Sequence, residues 1–216
     1  MSTNTDVIII GAGGFGRELL EYSIDAEQGG WKHHVIGFLD DDDNALDGFH
    51  SVPLLGRTSD VGSFITARFI IAMGDPILRF KLAKRVRDAG GSLVSLIHPS
   101  AYVASSAQVG HGTITCPFAL IGCNSLVGEN VAINAYASVG HDANVGDSVV
   151  LSPYSSLLGN TKLGDCSMIG THATVMPGIS IGSHSKVSAS SVVTKHCDPG
   201  SLLIGNPAKG RVMFPS

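Results

Sequence analysis

Val139-Gly-His-Asp-Ala-Asn-Val145-Gly-Asp147 holds one full period of the pattern that decides the fold: an aliphatic residue, a glycine, two polar residues, a small residue, and after one more residue the aliphatic again. Counting by sixes from Val139 lands on Ile97, Val103, Val109, Thr115, Ile121, Val127, Ile133, Val145, Leu151, Leu157, Leu163, Ile169, Val175, Ile181, Val187 and Val193. Only Thr115 is not aliphatic. The next position is often glycine, and the fifth is small, as at Ala107, Ala119, Ser125, Ala137, Ala143, Ser155 and Ser167. This is a hexapeptide repeat that runs unbroken for about seventeen units. Each unit predicts a short strand and a corner. The first residue points inward onto its equivalents in adjacent coils, and the small fifth residue fills the narrow interior, which together specify a parallel β-solenoid.

Before Ile97 the period changes. Residues 7–10 form a continuous apolar run that reads as a buried strand, 11–16 as a turn, and 17–28 as a helix ending at Gly29-Gly30. Further strands are expected at 35–39, 69–73 and 93–97, a helix at 76–89, and a loop at 41–56. Alternating strands and helices imply a small parallel α/β domain over 1–95, followed by the solenoid with its tail over 96–216.

Composition narrows the function. The 216 residues carry a formal charge of -4 with no basic block, which disfavours nucleic acid and membrane surfaces as partners. The first apolar run is too short for a leader or a span, so the expected location is the cytoplasm. Cys116, Cys123, Cys166 and Cys197 have neither CxxC nor zinc-ribbon spacing and read as reduced thiols. From His98 onward no two histidines are closer than twelve residues, so no metal site is expected.

Gly11-Ala-Gly-Gly-Phe-Gly16 follows a strand and opens a helix, as a dinucleotide fingerprint does. Asp40 and Asp41 stand at the end of the second strand, where an acidic side chain accepts bonds from a ribose or base. The α/β part is half the size of a nicotinamide-binding domain, which disfavours hydride transfer and suits the nucleotide of an activated sugar. Gly11, Gly13, Gly14, Asp40, Asp41 and Gly74 are the expected substrate contacts.

His141 occupies the third hexapeptide position, which faces outward. A histidine there suits the base of an acyl transfer, and Asp142 beside it suits the group that orients the imidazole.

The order of these parts carries a resemblance: a GxGxxG domain with Phe38-Leu-Asp-Asp41, then Ile97-His-Pro-Ser-Ala101, a hexapeptide solenoid containing Gly140-His-Asp142, and a terminal Gly205-Asn-Pro-Ala-Lys209. It resembles the bacterial sugar acetyltransferases, which include sialic acid O-acetyltransferases and N-acetyltransferases of nucleotide-linked 4-amino-4,6-dideoxy sugars from perosamine and bacillosamine pathways. The resemblance implies an α/β Rossmann-like half domain followed by a left-handed parallel β-helix with three hexapeptides per coil. General crossover rules would give the opposite hand. It also implies acetyl-CoA as co-substrate, no metal, a homotrimer, and a place in O-antigen or glycan biosynthesis.

One coil onward from His141 is then Gly159, whose bare amide suits an oxyanion donor, and one coil back is Cys123. Asn134 matches a family active-site asparagine, read as a positioning group. Gly159, Thr171, Gly178, Asn206, Pro207, Ala208 and Lys209 are the coenzyme contacts that the resemblance implies. Val150 stands where some relatives carry a histidine. The acceptor expected is the 4-amino group of a nucleotide-linked sugar, with sialic acid O-acetylation as the alternative.

Overall fold

The computed structural model describes residues 5–49 and 51–213. His50, within the expected loop, and the end of the tail, 214–216, lie outside them. β1 (Thr5–Ile10), β2 (His33–Leu39), β3 (Leu54–Gly56), β4 (Arg68–Ile71) and β5 (Ser92–Leu93) form one parallel sheet in the order β3-β2-β1-β4-β5. α1 (Gly14–Gln28) and α2 (Pro76–Asp88) cover it. The apolar run of β1 is continuous because both of its faces are buried. Val7 and Ile9 pack with Leu19 and Leu20 of α1, whereas Ile8 and Ile10 pack with Leu82 and Val86 of α2.

Several boundaries differ from the sequence expectation. α1 starts at Gly14, three residues early, because the glycine turn itself winds into the helix. β4 ends at Ile71, where the chain bends toward Gly74. The expected loop at 41–56 ends in a strand, since Leu54 and Gly56 pair with Phe38 and Leu39, and a 3-10 helix, Thr58–Phe64, follows. The single strand expected at 93–97 is two: Ser92–Leu93 closes the first sheet, and Leu96–Ile97 opens the solenoid.

The solenoid has three walls of parallel rungs. The first wall holds Leu120–Ile121, Ser138–Val139 and Ser156–Leu157, the second Leu126–Val127, Asn144–Val145 and Lys162–Leu163, and the third Ile114–Thr115, Ala132–Ile133 and Val150–Leu151. Equivalent rungs are eighteen residues apart, so each coil is three hexapeptides. Inside, Ile121, Val139, Leu157 and Val175 stack with 0–1% exposure, and Ala119, Ala137, Ser155 and Ala173 fill the corners equally dry. Truncating one of the stacked residues, as in Leu157→Ala, costs about 2–5 kcal/mol because neighbouring coils cannot close the gap.

Each corner turns through a residue in the left-handed region. From Gly112 to Ser190 every sixth residue has φ between 54° and 74°, and all but two are not glycine. Such residues cost roughly 1–3 kcal/mol each in isolation. The coil above compensates: the corner amide donates to the third-position carbonyl of the coil before it, as Asn160 N–H does to His141 O at 2.9 Å. Asn, Asp and His, which tolerate this region best, occupy several of these positions. On the corner between the third and first walls, Phe118, Tyr136, Tyr154 and His172 stack at centroid distances of 5.0, 4.8 and 4.8 Å, the natural consequence of the 18-residue repeat.

The walls are not equivalent. Outward residues of the first two are exposed, as Leu120 and Leu126 are, or half-buried, as Ser138 and Ser156 are, while Ile114, Ala132 and Val150 of the third are buried. The α/β domain covers that wall. Leu96, Ile114 and Cys116 join the cluster of Val7, Ile9 and Leu19, and Asp75 at the start of α2 pairs with Lys186 at 3.7 Å. Burial lifts the Cys116 thiol to about 12, and burial with nearby carboxylates lifts Cys166 to about 11, so both stay protonated.

Candidate active site

Two sites emerge, on opposite sides of the prism. His141 stands on the corner between the first and second walls, directly across from the covered third wall. Its side chain is 59% exposed, as the outward third position requires. Nδ1 lies 2.7 Å from Asp142 Oδ2. The carboxylate can only accept, so Nδ1 carries the hydrogen and the Nε2 lone pair is left facing outward. Asp142 is held by its own left-handed φ of 57° and by its amide bond to Cys123 O at 2.9 Å. Hydrogen bonds from His141 and then Asn124 hold its carboxyl below the usual range, so it is an anion wherever an imidazole titrates.

Gly159 lies under the imidazole. A Cβ there would come within 2.5 Å of His141 Cε1, so no residue with a side chain fits without moving the ring. Among the described residues its amide N–H has no partner. A Cβ at Gly140 would stand 2.7 Å from that same nitrogen, so the preceding glycine keeps it open. A basic nitrogen and an unused amide donor therefore sit one coil apart. Such an arrangement can take a proton from a nucleophile and stabilise an oxyanion. Cys123 is exposed, and no hydrogen bond joins its thiol to His141 among the described residues.

The same corner continues through Pro177 and Gly178 to Lys195 and His196, three coils beyond His141. Three inter-strand spacings amount to about 14 Å. Gly178, at φ 72°, meets nothing within 4 Å and leaves that path open. At its end a cleft of about 580 Å3 is lined by Lys195, His196, Lys209 and Arg211. Asn206, Pro207 and Ala208 form the turn between the antiparallel strands Ser201–Ile204 and Lys209–Val212, tied to the first wall by Ala208 N–H to Val192 O at 2.8 Å. Lys195 and Arg211 escaped the sequence reading. Lys195 was reachable by counting two coils on from Gly159.

Asn134 and Thr171 stand elsewhere. Both adjoin the corner between the third and first walls, and within one chain neither approaches His141. Asn134 donates from Nδ2 to Leu151 O at 2.8 Å, and its neighbour Ala135 packs against the α/β domain.

The second site is the carboxyl edge of the α/β sheet. Gly11, at φ 105°, passes so close to Ala72 that a Cβ would lie 2.9 Å from its carbonyl oxygen. Gly13, Gly14 and Gly74 instead face open space, with nothing within 4 Å of where a Cβ would stand. No internal packing explains their lack of side chains; a ligand approaching the backbone would. The first amides of α1 also point there, with no side-chain cap.

Asp40 is also bonded within the chain. It accepts from Ala12 N–H at 2.7 Å and Asp42 N–H at 3.0 Å, so it shapes the glycine loop. Asp41 accepts from the Thr58 amide and hydroxyl, both at 3.0 Å, and anchors the 3-10 helix. Between them a cavity of about 300 Å3 also takes Met73, Lys81 and Arg85. These two cations, one helical turn apart on α2, were missed because helix spacing alone does not say which turn overlooks the sheet edge. Among the described residues no group of three or more His, Cys, Asp or Glu is placed to hold a metal ion, and no helix is long and apolar enough to cross a membrane.

Comparison with known proteins identifies the family. Residues 6–86 match the PglD N-terminal domain family. The chain is 32% identical over 115 residues to a UDP-N-acetylbacillosamine N-acetyltransferase of Bacillus subtilis, an alignment that spans half of each protein. Whole-chain likeness comes from solved structures. A histidine mutant of perosamine N-acetyltransferase from Caulobacter crescentus, in complex with CoA and GDP-perosamine, superposes with a TM-score of 0.88 at 32% identity, covering 95% of this chain and 96% of that one. The acetyltransferase domain of PglB from Neisseria gonorrhoeae, in complex with acetyl coenzyme A, gives 0.86 at 30%, covering 95% and 98%. The chain belongs to the bacterial sugar acetyltransferases that join a Rossmann-like half domain to a left-handed β-helix.

Proposed function

We propose that the protein transfers the acetyl group of acetyl-CoA to the 4-amino group of a nucleotide-linked 4-amino-4,6-dideoxy sugar, with His141 as general base. The observation that carries this reading is the pairing of an outward Nε2 with the partnerless amide of Gly159 under it. The amine attacks the thioester carbonyl as its proton passes to Nε2; the carbonyl oxygen, now negative, takes the Gly159 N–H; the C–S bond then breaks and the thiolate receives the proton from the imidazolium. Asp142 holds the ring and offsets its charge. Thioester placement follows the corner, with the pantetheine arm past Gly178 and the phosphates at Lys195, Lys209 and Arg211.

The acceptor belongs to the other edge, with its diphosphate at Gly13, Gly14 and the start of α1, near Lys81 and Arg85. That edge overlies the third wall, across the prism from His141, so the acceptor held by one copy meets the base of another. Leu120 and Leu126, 42% and 44% exposed beside the His141 corner, fit contact between copies. In the homotrimer that the family resemblance implies, Asn134 and Thr171 reach the neighbour's His141 and coenzyme. The relatives support this reading, since the Caulobacter protein was solved with both CoA and GDP-perosamine and with a histidine replaced by Asn or by Ala.

The test is thiol release from acetyl-CoA against a panel of nucleotide-linked amino sugars and free sialic acids. Release with a nucleotide-linked amino sugar is expected. Release with sialic acids alone would overturn the acceptor assignment.

A further inference from the structure

Arg79 is the largest side chain buried completely, and the catalytic reading makes no use of it. It lies on α2. Its Nε donates to Asn130 O at 3.0 Å; Nη2 donates to Asn130 O at 2.7 Å and to Asn130 Oδ1 at 2.9 Å; Nη1 donates to the carbonyls of Ile71 and Met73. Every N–H of the guanidinium is thereby engaged. Asn130 answers with its amide, which donates to Arg79 O at 3.1 Å and to Ser148 Oγ at 3.0 Å. Burial pushes the guanidinium down to about 9, which leaves it charged at neutral pH. Among the described residues no carboxylate contacts it.

A buried cation without a counter-ion is costly, and an apolar side chain of similar volume would serve packing alone at least as well. The arginine is therefore explained by what its fixed fork connects. On one side are Ile71 and Met73, which flank Ala72. The Ala72 carbonyl and the Met73 methyl are the atoms that press against Gly11, at 2.9 and 2.8 Å from where a Cβ would stand. On the other side is Asn130, 1% exposed, a left-handed corner residue of the solenoid at φ 54°. The guanidinium thus joins the floor of the glycine loop to the rigid corner between the second and third walls.

We propose that Arg79 and Asn130 form a positioning clamp: touching neither ligand, they fix the nucleotide-binding edge against the solenoid and so set where the acceptor amine is delivered. The kinetic part of this inference rests on the function proposed above. The Asp75–Lys186 pair, partly exposed at 3.7 Å, bears on the same docking with less directional force.

Asn130→Gly tests it cleanly, because glycine keeps the left-handed backbone and the carbonyl but removes Oδ1 and Nδ2. Arg79→Lys keeps the charge and loses the fork. With acetyl-CoA saturating, both variants should lose about tenfold to a hundredfold in kcat/KM for the nucleotide sugar, as a displaced reactant does. Acetylation of a small amine carrying no nucleotide, and the KM for acetyl-CoA, should stay within about twofold, since these need only the corner. A parallel fall with both acceptors, or a lowered Tm with unchanged kinetics, would overturn the clamp. Amide hydrogen exchange judges it independently of any reaction: both variants should lose protection at residues 71–75 while the coils around Leu157 keep theirs, and unchanged protection at 71–75 also overturns it. A wild-type enzyme inactive on every nucleotide sugar would refute the acceptor reading, leaving the clamp to stand or fall on exchange.

Discussion

Two corners of the prism present a histidine at the same hexapeptide position, and only one of them pairs its imidazole with a carboxylate and an open amide one coil on. Beyond His111 the column of third positions runs through Glu129, Asp147 and Asp165, and the carboxylates of Asp147 and Asp165 cap the amides of Glu129 and Asp147 at 2.8 Å each. Beyond His141 the column runs through Gly159 and Pro177, neither of which carries an accepting side chain, and among the described residues the amides of His141 and Gly159 are left uncapped. The repeat therefore points a third-position amide outward on every coil, and the side chain one coil on decides whether it is consumed. An acidic side chain turns the corner into structure. A glycine or a proline leaves a donor for a ligand.

The comparison breaks most directly at the base. His141→Asn keeps the size and polarity of the corner and removes the proton acceptor. Loss of about 10²- to 10⁴-fold in kcat is expected, the usual worth of a general base, with acetyl-CoA still raising the Tm of the variant. Full activity at saturating substrate would reduce His141 to the status of His111. Gly159→Ala follows, with about a hundredfold loss in kcat, because the new Cβ drives the imidazole away and crowds the amide. If Gly159→Ala keeps its rate, the open amide is not the oxyanion donor.

Asp142→Asn should cost about tenfold. A buried triad loses more, but this pair is exposed and solvent screens it. Its pH signature is more telling than its size. Hydrogen bonds from His141 and Asn124 depress the Asp142 carboxyl, so its anion persists below the usual carboxylate range and is lost only as pH falls through that lowered value. At every pH where an imidazole titrates the charge is present. The loss in Asp142→Asn should therefore be constant across the neutral range, and the variant should converge on the wild type only in acid, where the wild-type carboxyl is itself protonated. Activity equal to the wild type throughout the neutral range would mean that Asp142 holds the corner turn alone.

These contrasts also show how far the sequence could be read. The solenoid was legible because its signal is local: an inward aliphatic every six residues and a small residue four later. Gly-His-Asp stood out because the repeat itself demands neither a histidine nor an aspartate there. β3 was not, since Leu54–Gly56 is three residues long and becomes a strand only by pairing with Phe38 and Leu39. Nor was the division of labour between walls. Ile114 and Leu120 hold the same outward position of the repeat, yet one is buried with the α/β domain and the other is exposed. That docking is written in Arg79, which reads as one more cation on a helix until its carbonyl partners are seen. Asp40 and Asp41 were legible at the strand end, but not their bonds to the amides of Ala12 and Thr58, which exist only once the loops have folded against it.

Lys195 gives the finest contrast, because the two corners differ there as well. Three coils above His141 the third position is Lys195, beside Lys209 and Arg211; two coils above Glu129, on the other corner, it is Asp165. One corner thus ends in cations and the other carries anions. A ligand bearing phosphates at one end and a reacting carbonyl at the other is steered onto the first and away from the second. Lys195→Ala removes one charge-assisted contact with a phosphate that changes little as the acetyl group reacts. Its loss should raise the KM for acetyl-CoA by about three- to tenfold and leave kcat alone, the signature of uniform binding. The effect should shrink with added salt, because the cleft is open to solvent. A fall in kcat at unchanged KM would place the lysine near the reacting carbonyl, which three coils of separation forbid.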